Sequence, residues 1–313
     1  MAENKKTILV TGGAGFIGSH LVKRLLKDGH SVHLLLKKST NCSHLQNELK
    51  HLNCHYIDLL DMAELKKLIQ SIKPQGIFHL AASNIASGVT ASDQEVLNTN
   101  ILCFKNLVDS VNEIDYEFLI NTGSFMEYGP KTWAVKETDL CEPTELYSIS
   151  KLSATLYGQA MARKFNKPII TFRLFTPYGP AMQAGRLVYE VINCALKNID
   201  IEVTNREVAR DFIFVEDIVD LYIKAMFKAK DAAVGEIFNL GSGKAVSIGD
   251  LVDMVVQKTA SHSQINWGNK PLLAYDSKLW QADMNKTFQT FAWKPKYSLM
   301  DGLDSTIEYF KHI

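Results

Sequence analysis

Long apolar runs are missing from this 313-residue chain, and so is any imbalance of charge. No stretch reaches the ~18 consecutive apolar residues of a membrane span, so no membrane partner is expected. Lys+Arg and Asp+Glu both total 34, a formal charge of zero. A nucleic-acid binder normally carries a basic excess, so that partner is not expected either. The five cysteines, Cys42, Cys54, Cys103, Cys141 and Cys194, are scattered without Cys-x-x-Cys spacing. They read as reduced thiols, mostly buried fillers, and no metal site is expected. The opening MAENKKTILVTGG has too short an apolar run for a signal peptide and leads directly into a glycine-rich turn. A cytoplasmic location is therefore expected. Repeats, low-complexity tracts and an obvious flexible linker are absent too, which points to interleaved lobes.

What is present is ordinary globular composition, 46% hydrophobic and 22% charged, enough for a real core. Short apolar runs at Thr7–Thr11, Val32–Leu36, His55–Ile57, Gly76–Leu80 and Phe118–Asn121 alternate with helical periodicity at Ser19–Lys27, Met62–Ile72 and Gln94–Val111. This rhythm predicts an α/β fold: a doubly wound parallel sheet covered by helices on both faces. The runs do not alternate strictly, as suits strands buried on both sides. From Lys131 the rhythm loosens. A helix is expected over Leu146–Lys164, a strand over Ile169–Phe175, a Pro/Gly turn over Thr176–Pro180 and a last helix near Leu299–His312. The expected division is a dinucleotide-binding domain over 1–175, with a return segment around 205–240, and a smaller substrate lobe over 176–313.

The first strand runs into Thr11-Gly12-Gly13-Ala14-Gly15-Phe16-Ile17-Gly18. Gly12, Gly15 and Gly18 are spaced for a tight turn, for backbone approach to a pyrophosphate and for close helix–sheet packing. The helix beginning there would aim its free N–H groups and positive dipole end at the phosphates. Position between a buried strand and an amphipathic helix is the context this motif requires. At the end of the second strand an acid normally bonds the ribose 2′-hydroxyl of NAD. Here Leu36 stands in its place and Lys37-Lys38-Ser39-Thr40 follow. Two ammonium groups suit a 2′-phosphate, so NADP(H) is favoured and NAD(H) is the alternative.

Tyr147 and Lys151 lie four apart at the start of the expected helix, on one face. A tyrosine titrates near 10. A nearby ammonium, and an oxidised nicotinamide, would lower that and let Tyr147 exchange a proton with a hydroxyl or carbonyl. Upstream, Phe118-Leu119-Ile120-Asn121-Thr122-Gly123-Ser124-Phe125-Met126-Glu127-Tyr128-Gly129 is apolar, then polar. Its hydroxyls would emerge at the carboxyl end of a parallel strand, where ligands bind. Ser124 is the candidate for hydrogen-bonding the substrate oxygen, with Thr122 as the fallback.

With these motifs the chain resembles, over nearly its whole length, the extended short-chain dehydrogenase/reductase family of nucleotide-sugar epimerases, dehydratases and 4-ketoreductases. The resemblance implies a Rossmann-type domain, a small sugar-nucleotide lobe and a homodimer built from the helices near Gln94–Val111 and Leu146–Lys164. Asp58, followed by Leu59, matches the adenine-contacting acid. Phe78-His79-Leu80-Ala81-Ala82 is similar to the strand beside the cofactor, and Asn100 matches a structural asparagine of the next helix. Arg173–Pro180 resembles a substrate-side turn, with Thr176 where many members carry Asn. Arg210, in Arg210–Asp217, matches an arginine that touches the nucleotide diphosphate, and Arg186 joins it as a second candidate. Phe238–Gly243 and Asp283–Lys286 complete the pattern.

The dehydratase branch carries an acid pair after its catalytic hydroxyl. Phe125 and Met126 occupy those places and neither can exchange a proton. Two reactions remain: an NADPH-dependent reduction of a nucleoside-diphosphate-4-keto-6-deoxyhexose, favoured by the missing acid after the second strand, and an NAD-dependent 4-epimerisation. A non-catalytic NADP(H) sensor on the same fold would have no need of Tyr147, Lys151 and Ser124 together.

Overall fold

The computed structural model describes residues 5–83, 91–229, 234–270 and 277–312; residues 1–4 of the opening segment lie outside it. The order is β1 (Thr7–Thr11), α1 (Phe16–Lys27), β2 (Ser31–Leu36), β3 (Asn53–Tyr56), α2 (Met62–Ile72), β4 (Gly76–His79), α3 (Asp93–Leu97), α4 (Cys103–Val111), β5 (Phe118–Ser124), α5 (Leu146–Phe165) and β6 (Ile169–Leu174). There follow β7 (Thr176–Tyr178), α6 (Leu187–Lys197), β8 (Ile201–Val203), β9 (Ala209–Phe214), α7 (Val215–Lys228), β10 (Ile237–Leu240), β11 (Ala245–Ser247), α8 (Ile248–Thr259), β12 (Ile265–Trp267), β13 (Leu279–Trp280), α9 (Asn285–Phe291) and α10 (Leu299–Lys311).

Seven strands form one parallel sheet in the order β10-β6-β5-β4-β1-β2-β3. Every residue of β4, β5 and β6 is buried, as strands covered on both faces must be. One face packs on Leu21 and Val22 of α1, Tyr222 and Met226 of α7 and Phe291 of α9. The other packs on Leu65 and Ile69 of α2, Phe104 and Leu107 of α4 and Ala154 and Ala162 of α5. A further apolar cluster gathers Val191 and Ile192 of α6, Leu251 and Val252 of α8 and Leu303 and Ile307 of α10 around β9. The chain order reverses between β1 and β4, so the carboxyl ends of those strands open a crevice suited to a dinucleotide.

Local physics explains where the expected elements differ. The Thr176–Pro180 segment is not simply a turn, since Thr176–Tyr178 forms β7 and pairs in parallel with Phe212–Phe214 of β9. Pro177 lacks an N–H, which a strand with a neighbour on one side tolerates. β5 runs on to Ser124 because Thr122–Ser124 keep register with Phe172–Leu174 of β6. Between α3 and α4 the helix widens into a π-helical turn, Asn98–Leu102. Of the cysteines only Cys103 is buried and the others are half-buried, being in loops, on the edge strand β3 or in α6, where Cys194 packs at the margin of an apolar cluster. All five are free thiols. Among the described residues no helix is long and apolar enough to cross a membrane, and no group of three or more His, Cys, Asp or Glu could hold a metal.

Candidate active site

The glycine turn closes tightly because Gly12 takes φ +70°, and a Cβ there would stand 2.5 Å from the Ala81 backbone nitrogen. Gly18 packs equally close, a Cβ meeting the Gly12 carbonyl at 2.2 Å. The β1–α1 turn is thereby drawn against the end of β4, where Leu80 N–H donates to the Thr11 carbonyl (3.0 Å) and Ala81 N–H to the Thr11 hydroxyl (3.4 Å). Gly15 occupies the N-cap of α1 without a side-chain cap, and the first turn, which holds Phe16 and Ile17, has no acid. The free N–H groups and dipole of that end are thus left for an anion. These residues fit a dinucleotide pyrophosphate.

At the end of β2, Leu36 is buried, and Lys37 and Lys38 follow exposed. Asp58 is exposed after β3, its carboxylate accepting the Leu60 N–H at 2.9 Å, with Leu59 buried beside it. Ala82 is exposed and Leu80 and Ala81 half-buried at the mouth of the crevice. Asn100 is buried, and its amide is spent inside the protein. It accepts Ser83 N–H (2.8 Å) and donates to the Ser83 carbonyl (3.1 Å) and to Ser150 Oγ (2.9 Å). Ser150 in turn donates to the Tyr147 carbonyl. Asn100, counted among the candidate cofactor residues, therefore bears on the site by bracing the start of α5.

The two candidate hydroxyls of β5 face different partners. Thr122 Oγ1 shares a 2.8 Å hydrogen bond with Tyr222 OH, so its hydroxyl is engaged toward α7. Its carbonyl accepts Lys151 Nζ at 2.7 Å. Ser124 lies beside the Tyr147 phenol, with a hydrogen bond that favours the phenolate. The backbone N–H of Met126 also donates to Ser124 Oγ (3.2 Å). The structure thus brings Ser124, and not Thr122, to Tyr147.

The charges around Tyr147 differ from the sequence expectation. Lys151 was expected to lower the phenol. Burial instead raises Tyr147 above its ordinary value, and the opposing influences are the Arg186 guanidinium and the Ser124 hydrogen bond. Lys151 is itself buried, which pulls its ammonium down to about 8, with Glu127 acting the other way. His79, bonded to Thr11 Oγ1 at 2.8 Å, is pushed down to about 3 by burial and by Lys151, so it stays neutral. Arg186, at the N-cap of α6, faces Tyr147, while Arg210 Nη1 donates to the Ala209 and Ser277 carbonyls. The two arginines expected to share a diphosphate thus have different neighbours. Thr176 Oγ1 is buried without a hydrogen-bond partner, a costly state that a bound group would relieve. Arg173 belongs to β6 and not to a substrate-side turn. It is 2% exposed and paired with Glu127, which is 0% exposed. Glu127 was missed by the sequence reading; its one signal was a charge between Met126 and Tyr128, soon after a buried strand. Phe125 fills the place of an acid by packing on Phe175 (5.4 Å) and Trp280 (4.7 Å).

The model of the NAD dependent epimerase/dehydratase family matches residues 8–241. A CDP-abequose synthase of Salmonella muenchen is 25% identical over 305 residues, 97% of either chain. A UDP-glucose 4-epimerase of Thermotoga maritima, solved with UDP-glucose, superposes with TM-score 0.89 at 26% identity, covering 98% of this chain and 99% of that one. A UDP-glucuronic acid 4-epimerase of Bacillus cereus, in complex with UDP-glucuronic acid and NAD, gives TM-score 0.88 at 27% identity, with the same coverage.

Proposed function

We propose that this chain, which belongs to the NAD-dependent epimerase/dehydratase family, is an NADPH-dependent reductase of a nucleoside-diphosphate-4-keto-6-deoxyhexose. The observation that carries the reading is the end of β2. Leu36 is buried where an acid would grip the 2′-hydroxyl, and two exposed lysines, Lys37 and Lys38, follow. Their ammonium groups suit a 2′-phosphate. Gly12, Gly15, Gly18 and the open end of α1 would hold the pyrophosphate, with Asp58 and Leu59 at the adenine and Leu80 to Ala82 along the crevice. When bound, NADPH supplies the hydride for C4 of the sugar.

The chain's own residues manage the oxygen. Ser124 orients the C4 carbonyl by hydrogen bonding. Tyr147, whose phenol burial keeps protonated at neutral pH, delivers its proton to that oxygen. This is the direction of transfer that a reduction needs. Lys151, held on the Thr122 carbonyl, offsets the charge left on Tyr147. Thr176, Arg186 and Arg210 are the proposed substrate contacts. The aromatic wall of Phe125, Phe175 and Trp280 stands where the acid pair would begin, and the nearby Glu127 carboxylate is spent on the Ser124 N–H and Arg173, which disfavours elimination of water. A relative named for making a CDP-linked sugar is compatible with this substrate class.

The second reading, an NAD-dependent 4-epimerase, is favoured by the neighbour in complex with NAD and UDP-glucuronic acid. One experiment separates them. Purified protein is mixed with NADPH and a panel of nucleoside-diphosphate-4-keto-6-deoxyhexoses, and the reduced-nicotinamide absorbance is followed. Loss with one member is the expected result. No loss, with NAD released on denaturing the protein, would replace the reductase by the epimerase.

A further inference from the structure

Glu127 is fully buried within one turn of Ser124, a place where an ion is tolerated only with close partners. Its two oxygens hold different things. Oε1 accepts the Ser124 backbone N–H at 2.8 Å, and Oε2 accepts Arg173 Nε–H at 2.8 Å. There is room for Oε1 because residue 123 is glycine, whose Cβ would stand 2.5 Å from that oxygen. Arg173 lies over the Tyr128 ring at 4.4 Å, and the Tyr128 hydroxyl donates to Asn239 Oδ1 at 2.7 Å. The last three residues of β5 are thus gripped twice, by Glu127 at the Ser124 N–H and by Lys151 at the Thr122 carbonyl. In an extended strand a carbonyl and the N–H two residues on project to the same edge. The carboxylate and the ammonium therefore converge on one edge of β5, across Gly123.

We propose that Glu127 is a positioning residue for Ser124, Tyr147 and Lys151: anchored by Arg173, its carboxylate fixes the backbone of Ser124 and stands at the same strand edge as the buried Lys151 ammonium. The inference rests on the reading of those three residues as the reacting trio. The titratable groups facing Lys151 come from three elements: Glu127 from the turn after β5, neutral His79 from β4, and Tyr147 one turn back on α5. Arg186 faces Tyr147 from the start of α6. Glu127 is the anion of this set, and it opposes the effect of burial on Lys151.

The test needs no substrate. The full chain is labelled with 13Cε-lysine, the Lys151 signal is assigned with Lys151→Met, and its shift is followed against pH. In Glu127→Gln the midpoint should fall by at least about half a unit, a threefold loss of proton affinity. Glu127→Gln also leaves the Arg173 cation buried alone and can fail to fold. The pair Glu127→Gln with Arg173→Met removes both charges, and a fall in the same direction is expected there, smaller because the Arg173 cation that opposes Glu127 is gone too. An unchanged midpoint in the folded double variant would overturn the proposal, because Glu127 would then serve only to neutralise Arg173. Glu127→Asp keeps the charge and should keep the wild-type midpoint; a fall as large as that of the Gln variants would overturn it too. A failed turnover assay would sink the reductase reading and leave this titration interpretable.

Discussion

Tyr147 and Lys151 sit one helical turn apart, yet the lysine's own hydrogen bond goes to the Thr122 carbonyl. Two consequences can be measured. The phenol is the proposed proton donor, so Tyr147→Phe should lower kcat by about 10²–10⁴, the usual worth of a positioned acid. NADPH binding should be retained, because the glycine turn and the lysines are untouched; near-normal turnover would remove Tyr147 from the chemistry. The second consequence concerns pH. Burial brings the Lys151 ammonium down to about 8, so the charged form is present below that pH and is lost as pH rises through it. The rate at low substrate should therefore fall about tenfold per unit above pH 8. Tyr147 is raised and does not account for a limb there. Lys151→Arg stays charged and should carry the limb beyond pH 10 if any activity remains. A wild-type profile flat to pH 10 would contradict the role.

At the scale of elements, the first half of the chain was legible where its strands are short, buried and separated by helices of regular period; β3, with no buried residue, runs over Asn53–Tyr56 instead of the expected His55–Ile57. α2 runs over Met62–Ile72 as expected, since Asp61 caps it by accepting the Glu64 N–H. What could not be read was pairing between distant segments. Thr176–Tyr178 looks like a turn until β9 is beside it, and Glu127 looks like a loop acid until Arg173, 46 residues later, is beside it. The trio was legible from its spacing and strand-end position. Ser124 was preferred to Thr122 there, but the partner that engages the Thr122 hydroxyl, Tyr222, lies a hundred residues away and was not legible. The β2–β3 connection carries the cofactor prediction. Replacing Lys37 and Lys38 together by Glu should weaken NADPH binding by at least about tenfold and leave NADH binding equal or tighter, since the acids would repel a 2′-phosphate and accept from a 2′-hydroxyl. Calorimetric titration of both dinucleotides checks this. Equal loss for the two would mean that the lysines do not read the 2′ position.

On the whole molecule, one exposed face bears on assembly, and one buried residue bears on the joint between the proposed cofactor and substrate sides. α5 buries small residues against the sheet and leaves Ile149 and Leu156, two turns apart on one face, 44% and 53% exposed. We propose that a second copy covers this face, as the family resemblance implies. Leu156→Glu should then convert a dimer to a monomer in sedimentation; a wild-type monomer at micromolar concentration would end the idea. The joint is Asp211 of β9. Fully buried, it accepts Ser242 N–H and Oγ–H on one oxygen (2.7 and 2.6 Å) and Gly243 and Ala282 N–H on the other (3.0 and 3.1 Å). It thereby ties β9 both to the loop after β10 and to the segment before α9. Burial drives its carboxyl up to about 6 while these four donors pull it down. Asp211→Ala strands the donors together, so a loss of about 3 kcal/mol or more is expected in urea unfolding. Arg210 is its neighbour in β9 and a proposed substrate contact, whereas the glycine turn follows β1 of the seven-stranded sheet, to which β9 does not belong. The variant should therefore raise KM for the nucleotide sugar more than the Kd for NADPH. Equal weakening of both would show that Asp211 supports the fold as a whole and not the substrate side in particular.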